Sequence, residues 1–356
     1  MSLDELDTPF LWVDVEQLDA NIQAMAAYFR EAGVNWRPHT KGIKTPAVAH
    51  RILAAGALGI TCAKLGEAEV MAAAGIREIL IANQVVGKHK YPRLAALQRQ
   101  ANVLAAVDSP ATLAGLSRAA QAIGVVIPLL VEVDGGMKRA GVAPGEATVA
   151  LARQVNQTPG LHLAGLMAWE GHTLAVAEDE RAEAIQKSVG LLVSSAEACR
   201  AAGLPVEIVS CGGSGTMTVT AHLPGISEVQ AGGAVFGDAT YQRWHAPTQP
   251  ALFVRTVVTS RPAPDRIIVD AGWKTLPGWI TPPVPLGVED VRKVALSAEH
   301  GIVTLGSPNE RVRVGDFVDF VVGYGDNTLF LHDELVGVRQ GRVEAVWPVS
   351  GRGKLR

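Results

Sequence analysis

Cysteine is scarce in this chain. Cys62, Cys199 and Cys211 are odd in number and too scattered for a disulfide framework or a CxxC metal site. Neither sign of charge dominates: 32 Lys and Arg against 35 Asp and Glu leave a net charge of -3, so no basic field exists to hold nucleic acid. Long hydrophobic runs are missing as well. The most apolar stretches, such as AIGVVIPLLVEV, run into acidic residues well short of a membrane-spanning length. The opening MSLDELDTP is acidic and lacks the basic-then-apolar order of a signal peptide, so the cytoplasm is the expected compartment. What is present is globular: 48% hydrophobic and 19% charged residues over 356 positions, a length that predicts two domains.

From Phe10 to about Asp238, strand-like and helix-like segments alternate. FLWVDV leads into EQLDANIQAMAAYFREAG, where Leu18, Ile22, Met25 and Phe29 recur at helical spacing and Gly33 ends the helix. The same alternation repeats down to VEIVSCGGSG, which opens the eighth unit. The strands read as continuously apolar and the helices as amphipathic, the pattern of a parallel sheet covered by helices. Eight such units predict a (β/α)8 barrel over residues 10–240. After Tyr241 the texture changes. ALFVRTVVTS, DRIIVDAGW, DFVDFVVGYGD and ELVGVRQGRVEAVWPV are strand-like with no long helical pattern between them, which predicts a mostly-β domain over residues 241–356, joined by residues 1–9.

The reacting groups of such a barrel sit at the C-terminal ends of its strands, where the register places Lys41, Arg139, Glu170, His172 and the loop 212–216. In NWRPHTKGIKTP, Arg37, His39, Lys41 and Lys44 crowd one strand end. Solvated surface lysines are one reading. The other is a lysine aimed into the barrel mouth, where desolvation and the neighbouring Arg37 and His39 depress its pKa and favour a Schiff base. SCGGSGTM follows another strand, and its Gly212, Gly213, Ser214, Gly215 and Thr216 can offer amides and hydroxyls to a phosphate or be an ordinary glycine loop. EVDGGMKRAGV puts Asp134 at a strand end and Arg139 beyond it, either a turn-capping acid with a surface arginine or part of a site. AWEGH adds the aromatic Trp169 and two titratable groups, Glu170 and His172. A lysine, a phosphate cradle and an arginine on one barrel face together point to pyridoxal 5'-phosphate, which needs a Schiff base, phosphate donors and a polar partner for its phenolic oxygen.

The same residues carry a family resemblance over nearly the whole chain. RPHTKGIKTP, ITCAKLGEAEVM, EVDGGMKRAGV, LMAWEGH, SCGGSGT, SEVQAGGAVFGDATY, VDAGWKTL and HDELVGVRQGRVEAVWPV resemble the D-threonine aldolase and D-serine dehydratase family, pyridoxal phosphate enzymes of alanine-racemase-like fold. The resemblance implies that Lys41 holds the coenzyme, that Arg139 meets its phenolic oxygen and that the Gly212–Thr216 loop takes its phosphate, with His39, Trp169 and Tyr241 beside it. It also implies a homodimer and a small amino-acid substrate; charge and hydropathy give neither nucleic acid nor membrane as partner. The chain departs from the family at two motifs. Ile43 stands where the lysine motif has a histidine, and in GYGDNTLFLHD Tyr324 stands where the family's metal pair has its histidine and Asp326 where it has the second ligand. A divalent ion (Mn²⁺, Mg²⁺ or Zn²⁺) would therefore rest on Asp326, and one carboxylate is a poor divalent site without additional ligands. The activity implied is retro-aldol cleavage of D-3-hydroxy amino acids to glycine and an aldehyde, with Lys41 and His172 as catalytic residues; Tyr324, a departure from the family, is expected to carry part of the acid–base work, the bland reading being that it and Asp326 only close a turn in the β domain. Dehydration or racemisation of the same substrates, and a non-catalytic pyridoxal phosphate-binding protein, are the alternatives. The titratable Tyr324, Asp326 and His300 of the C-terminal domain speak against the last.

Overall fold

The computed structural model describes residues 1–356. Two sheets organise them. The strands of the first are β2 (Asn35–Trp36), β3 (Ile60–Cys62), β4 (Glu78–Gln84), β5 (Asn102–Val107), β6 (Ile127–Glu132), β7 (Leu161–Met167), β8 (Ile208–Cys211) and β9 (Glu228–Val229). All eight run parallel in the order β2-β9-β8-β7-β6-β5-β4-β3, and a parallel bridge between His39 and Thr61 joins the two ends into a closed barrel. The sheet is buried on both faces, which is why its strands are continuously apolar: Ile79, Leu80, Ile81, Val103, Leu129, Leu130 and Val131 have essentially no exposed surface. Helices α1 (Val15–Ala32), α2 (Pro46–Ala54), α3 (Leu65–Ala73), α4 (Lys90–Leu97), α5 (Leu113–Ile123), α6 (Glu146–Gln157), α7 (Glu178–Ala201) and α8 (Met217–Thr220) separate the strands. The spacing read in α1 holds, since Leu18, Ile22, Met25 and Phe29 are all buried.

Phe10–Asp14 (β1), expected to lead the alternation, is a strand of the second sheet. It pairs antiparallel with β10 (Leu252–Ala263) through Phe10 and Arg255, and parallel with β16 (Glu334–Arg339) through Trp12 and Val336. The physical reason lies in its burial, which alternates along FLWVD with Leu11 and Val13 inside. That period of two belongs to a sheet with one solvated face, unlike the doubly buried barrel strands. The count shifts accordingly: Ile208–Cys211 is the seventh barrel strand and Glu228–Val229 the eighth. The second sheet has nine strands, completed by β11 (Arg266–Val269), β12 (Val284–Pro285), β13 (Val291–Leu296), β14 (Gly301–Leu305), β15 (Phe317–Val321) and β17 (Arg342–Pro348).

By compactness the chain divides into two units. One comprises Met1–Met25, Gly42–Arg51 and Gly233–Gly353, the other Ala26–Lys41, Ile52–Gly232 and Lys354–Arg356. No helix is long and apolar enough to cross a membrane.

Inside the barrel unit, Arg37 follows β2 and Glu228 begins β9. Arg37 is 3% exposed and Glu228 1%, and the guanidinium Nε lies 3.0 Å from both carboxylate oxygens. Each charge is tolerable only because of the other. Arg37→Met should therefore cost about 3–5 kcal/mol of stability, the usual result of stranding a buried charge, read as a lowered urea midpoint. Adding Glu228→Met should recover most of that loss, and a double variant no better than the single one would contradict the pairing.

Candidate active site

Every barrel strand runs in the same direction, so the residues that follow their C-terminal ends share one mouth. After β2 the chain turns through Thr40–Gly42, anchored where the Thr40 hydroxyl donates to the Thr61 carbonyl at 2.9 Å. Lys41 is exposed in that turn, and its amide donates to Nδ1 of His39 at 3.2 Å. Lys44, by contrast, is 8% exposed with a left-handed backbone (φ 50°). The sequence expectation that Arg37 would crowd Lys41 with positive charge is corrected, because Glu228 neutralises Arg37 within the barrel.

At the end of β6, Glu132 is buried, and burial holds its carboxyl above the usual carboxylate range, opposed by a hydrogen bond from the Gln84 amide at 2.5 Å. Arg139 approaches Glu132 at 3.7 Å while about half of its side chain is exposed, so guanidinium donors remain for another oxygen. Asp134 accepts the amides of Gly136 and Lys138 at 2.9 and 3.0 Å and shapes the turn between them. The sequence signal for Glu132 is an acid ending the apolar run IPLLVE, which the motifs around it obscure.

Trp169, Glu170 and His172 follow β7, and the glycine-rich loop follows β8. The Trp169 indole packs against the loop: a Cβ on Gly213 would stand 2.5 Å from its Cη2, so a side chain there would have to displace the ring. Glu170 is 1% exposed and accepts from the Gly212 amide (3.2 Å) and from the Thr216 and Thr220 hydroxyls (both 2.8 Å). Burial pushes its pKa up, while those donors pull it back. Nδ1 of His172 is buried without a hydrogen-bond partner, and its Nε2 lies 3.1 Å from where a Gly136 Cβ would be. Lys41, His39, Arg139, Trp169, His172 and the Gly212–Thr216 loop thus all belong to the barrel unit and its one mouth.

Tyr241, Tyr324 and Asp326 form a cluster in the other unit. Oδ1 of Asp326 accepts the Tyr241 hydroxyl at 3.2 Å and Oδ2 accepts the Tyr324 hydroxyl at 3.0 Å. Burial, with the Asp326 charge second, pushes both phenols above their ordinary range, so both stay protonated as donors. The fully buried Asp238, its carboxyl also raised by burial, accepts the amides of Tyr241 (3.0 Å) and Gly325 (2.6 Å) and fixes both loops. His300 lies exposed in the turn between β13 and β14 and takes no part. This donor set does not fit a divalent ion. Both Asp326 oxygens already hold phenol protons, neutral phenols are poor ligands for hard cations, and no group of three or more His, Cys, Asp or Glu gathers anywhere in the chain.

Residues 13–240 match the family described as alanine racemase, N-terminal domain, and residues 251–338 the putative serine dehydratase domain. The chain is 38% identical over 356 residues to a D-threonine aldolase of Arthrobacter sp., covering 99% of this chain and 94% of that protein. It is 35% identical over 367 residues to a 3-hydroxy-D-aspartate aldolase of Paracoccus denitrificans (strain Pd 1222), covering 99% and 94%. Among solved structures, the D-threonine aldolase of Filomicrobium marinum superimposes with a TM-score of 0.96 at 36% identity, covering 100% of this chain and 98% of that one.

Gly42, directly after Lys41, has no room for a side chain: its Cβ would stand 2.1 Å from Oδ1 of Asp326. Gly42→Ala should displace that carboxylate from its two phenols and cost about 1–3 kcal/mol, the range for stranding buried polar groups. In an Asp326→Ala background the same substitution should cost far less. Equal penalties in both backgrounds, by urea denaturation, would show that Asp326 is not what excludes the Cβ.

Proposed function

The chain belongs to the family that joins an alanine racemase N-terminal domain to a serine dehydratase-like domain, and on that premise we propose that it cleaves D-3-hydroxy amino acids to glycine and an aldehyde. It is a pyridoxal phosphate-dependent lyase of the D-threonine aldolase kind. The observation that carries this reading is the full-length match to aldolases together with an exposed Lys41 in the barrel mouth.

The barrel residues fit the coenzyme. Lys41 supplies an amine, the Arg139 guanidinium retains donors for an anionic oxygen, and the glycine loop brings its backbone close against Trp169. Lys41 would hold the coenzyme covalently, Arg139 would face its phenolic oxygen, and the loop would take its phosphate, with His39 and Trp169 alongside. Bound there, pyridoxal phosphate supplies an electron sink for the pair left on Cα when the Cα–Cβ bond breaks.

The chain must then remove the 3-hydroxyl proton. Tyr324 is protonated and already donates to Asp326, so it acts as a relay. Its oxygen takes the substrate proton as its own passes to the Asp326 carboxylate, and the oxygen left on the substrate forms the aldehyde carbonyl. Tyr241 holds the other oxygen of Asp326 and orients it. His172, which follows β7 at the same mouth, is assigned to proton exchange through its other ring nitrogen, Nε2. Dehydration to a keto acid and ammonia is the second reading, favoured by the match of residues 251–338 to the serine dehydratase domain. The assembly we propose is a homodimer. The large apolar side chains of Trp273, Trp279, Val284 and Phe317, each exposed between 41% and 69%, support it.

Purified protein incubated with D-threonine or D-serine should yield glycine and the corresponding aldehyde. Keto acid and ammonia as the main products would move the assignment to dehydration. Borohydride treatment of the coenzyme-loaded protein should label Lys41 in a peptide map, and Lys41→Ala should abolish the label while Lys44→Ala retains it.

Tyr324→Phe should cut turnover by about 10²–10⁴-fold, the usual contribution of a general acid–base group, without releasing the coenzyme. Activity of the parent protein should survive chelation. Complete loss on chelation, restored by Mn²⁺ or Zn²⁺, would show that a metal site forms around Asp326 after all.

A further inference from the structure

The glycine-rich loop is held in shape by one buried acid at the end of a neighbouring strand. Oε1 of Glu170 accepts the hydroxyls of Thr216 and Thr220, and Oε2 accepts the Gly212 amide. The Thr216 hydroxyl in turn accepts the Gly213 amide at 3.0 Å. The carboxylate therefore reaches two consecutive loop amides, one directly and one through a hydroxyl, and also grips the first turn of α8. Its backbone side is fixed too, since its carbonyl accepts both the amide (3.0 Å) and the hydroxyl (2.8 Å) of Thr173.

We infer that Glu170 is a positioning residue for phosphate binding, and that the Thr216 hydroxyl belongs to its brace and not to the phosphate. The inference rests on the coenzyme reading above. Gly212 has a left-handed backbone (φ 79°), and a run of glycines loses more conformational freedom on ordering than any other sequence. A loop ordered only on contact with a phosphate would charge that entropy to affinity. A loop already tied to Glu170 meets the phosphate in its final shape, the general advantage of preorganisation. The amides of Gly212 and Gly213 and the Thr216 hydroxyl are engaged in the brace, and the phosphate is assigned to the backbone that follows Gly213.

The test compares pyridoxal phosphate with pyridoxal, which lacks the phosphate, by titrating the coenzyme-free full-length protein. Glu170→Gln keeps an acceptor for the threonine hydroxyls but turns an amide against the Gly212 N–H. It should weaken pyridoxal phosphate by about 10–100-fold, the scale of one lost charged hydrogen bond, and leave pyridoxal within about twofold. Thr216→Val should share the selective loss and Thr216→Ser should restore it, and this pair decides the matter if Glu170→Gln does not fold. Equal weakening of both ligands, or of neither, would overturn the positioning role alone. A parent protein that binds no pyridoxal phosphate would instead overturn the coenzyme reading, and this inference with it.

Discussion

Burying a carboxylate costs several kcal/mol unless donors inside the protein replace its water, and that constraint shapes the functional loops of this chain. Glu228 satisfies it with Arg37, Glu170 with the glycine loop and two threonines, Asp238 with two amides, and Asp326 with two phenols. In each case at least one donor comes from a segment far from the acid in sequence, so satisfying the acid fixes one segment against another. The acids are in this sense the ties of each unit, and the barrel and the nine-stranded sheet supply the rigid ends to which they are fastened.

The same constraint separates the chemistry the protein can perform from chemistry its family motifs alone would imply. A carboxylate whose two oxygens each hold a phenol proton is a proton acceptor in waiting, not a vacant ligand. With Tyr324 where the resemblance calls for histidine, the Asp326 carboxylate accepts a phenol proton there in place of sharing a cation. Gly42 belongs to the same arrangement, because the Asp326 carboxylate occupies the volume of any Cβ there. The residue that follows Lys41 is thus dictated by an acid almost three hundred positions later in the chain.

Much of this was legible in the sequence. The helical spacing of Leu18, Ile22, Met25 and Phe29, the continuously apolar strands and the change of texture after Tyr241 identify a barrel and a β domain, because burial on one face or two imposes its own period on the residues. The placement of Lys41, Arg139, Trp169 and the 212–216 loop at strand ends follows from the same period. FLWVD reads as a barrel strand from the alternation around it, although its buried residues alternate. Five residues are too few for period alone to overrule the regular alternation that surrounds them.

Residue type and local spacing determined which groups exist and at which end of which element they stand. Only the tertiary structure decided what each group faces. Arg37 and Lys41 are four residues apart, yet one is sealed against Glu228 and the other lies exposed in the mouth. Glu170 and Thr216 are both polar residues beside glycines, and nothing local says that they bond to each other instead of to a ligand. The reason is physical. Periodicity is a one-dimensional signal of burial, whereas a hydrogen bond between residues 46 positions apart depends on the closure of the sheet that brings their strands together.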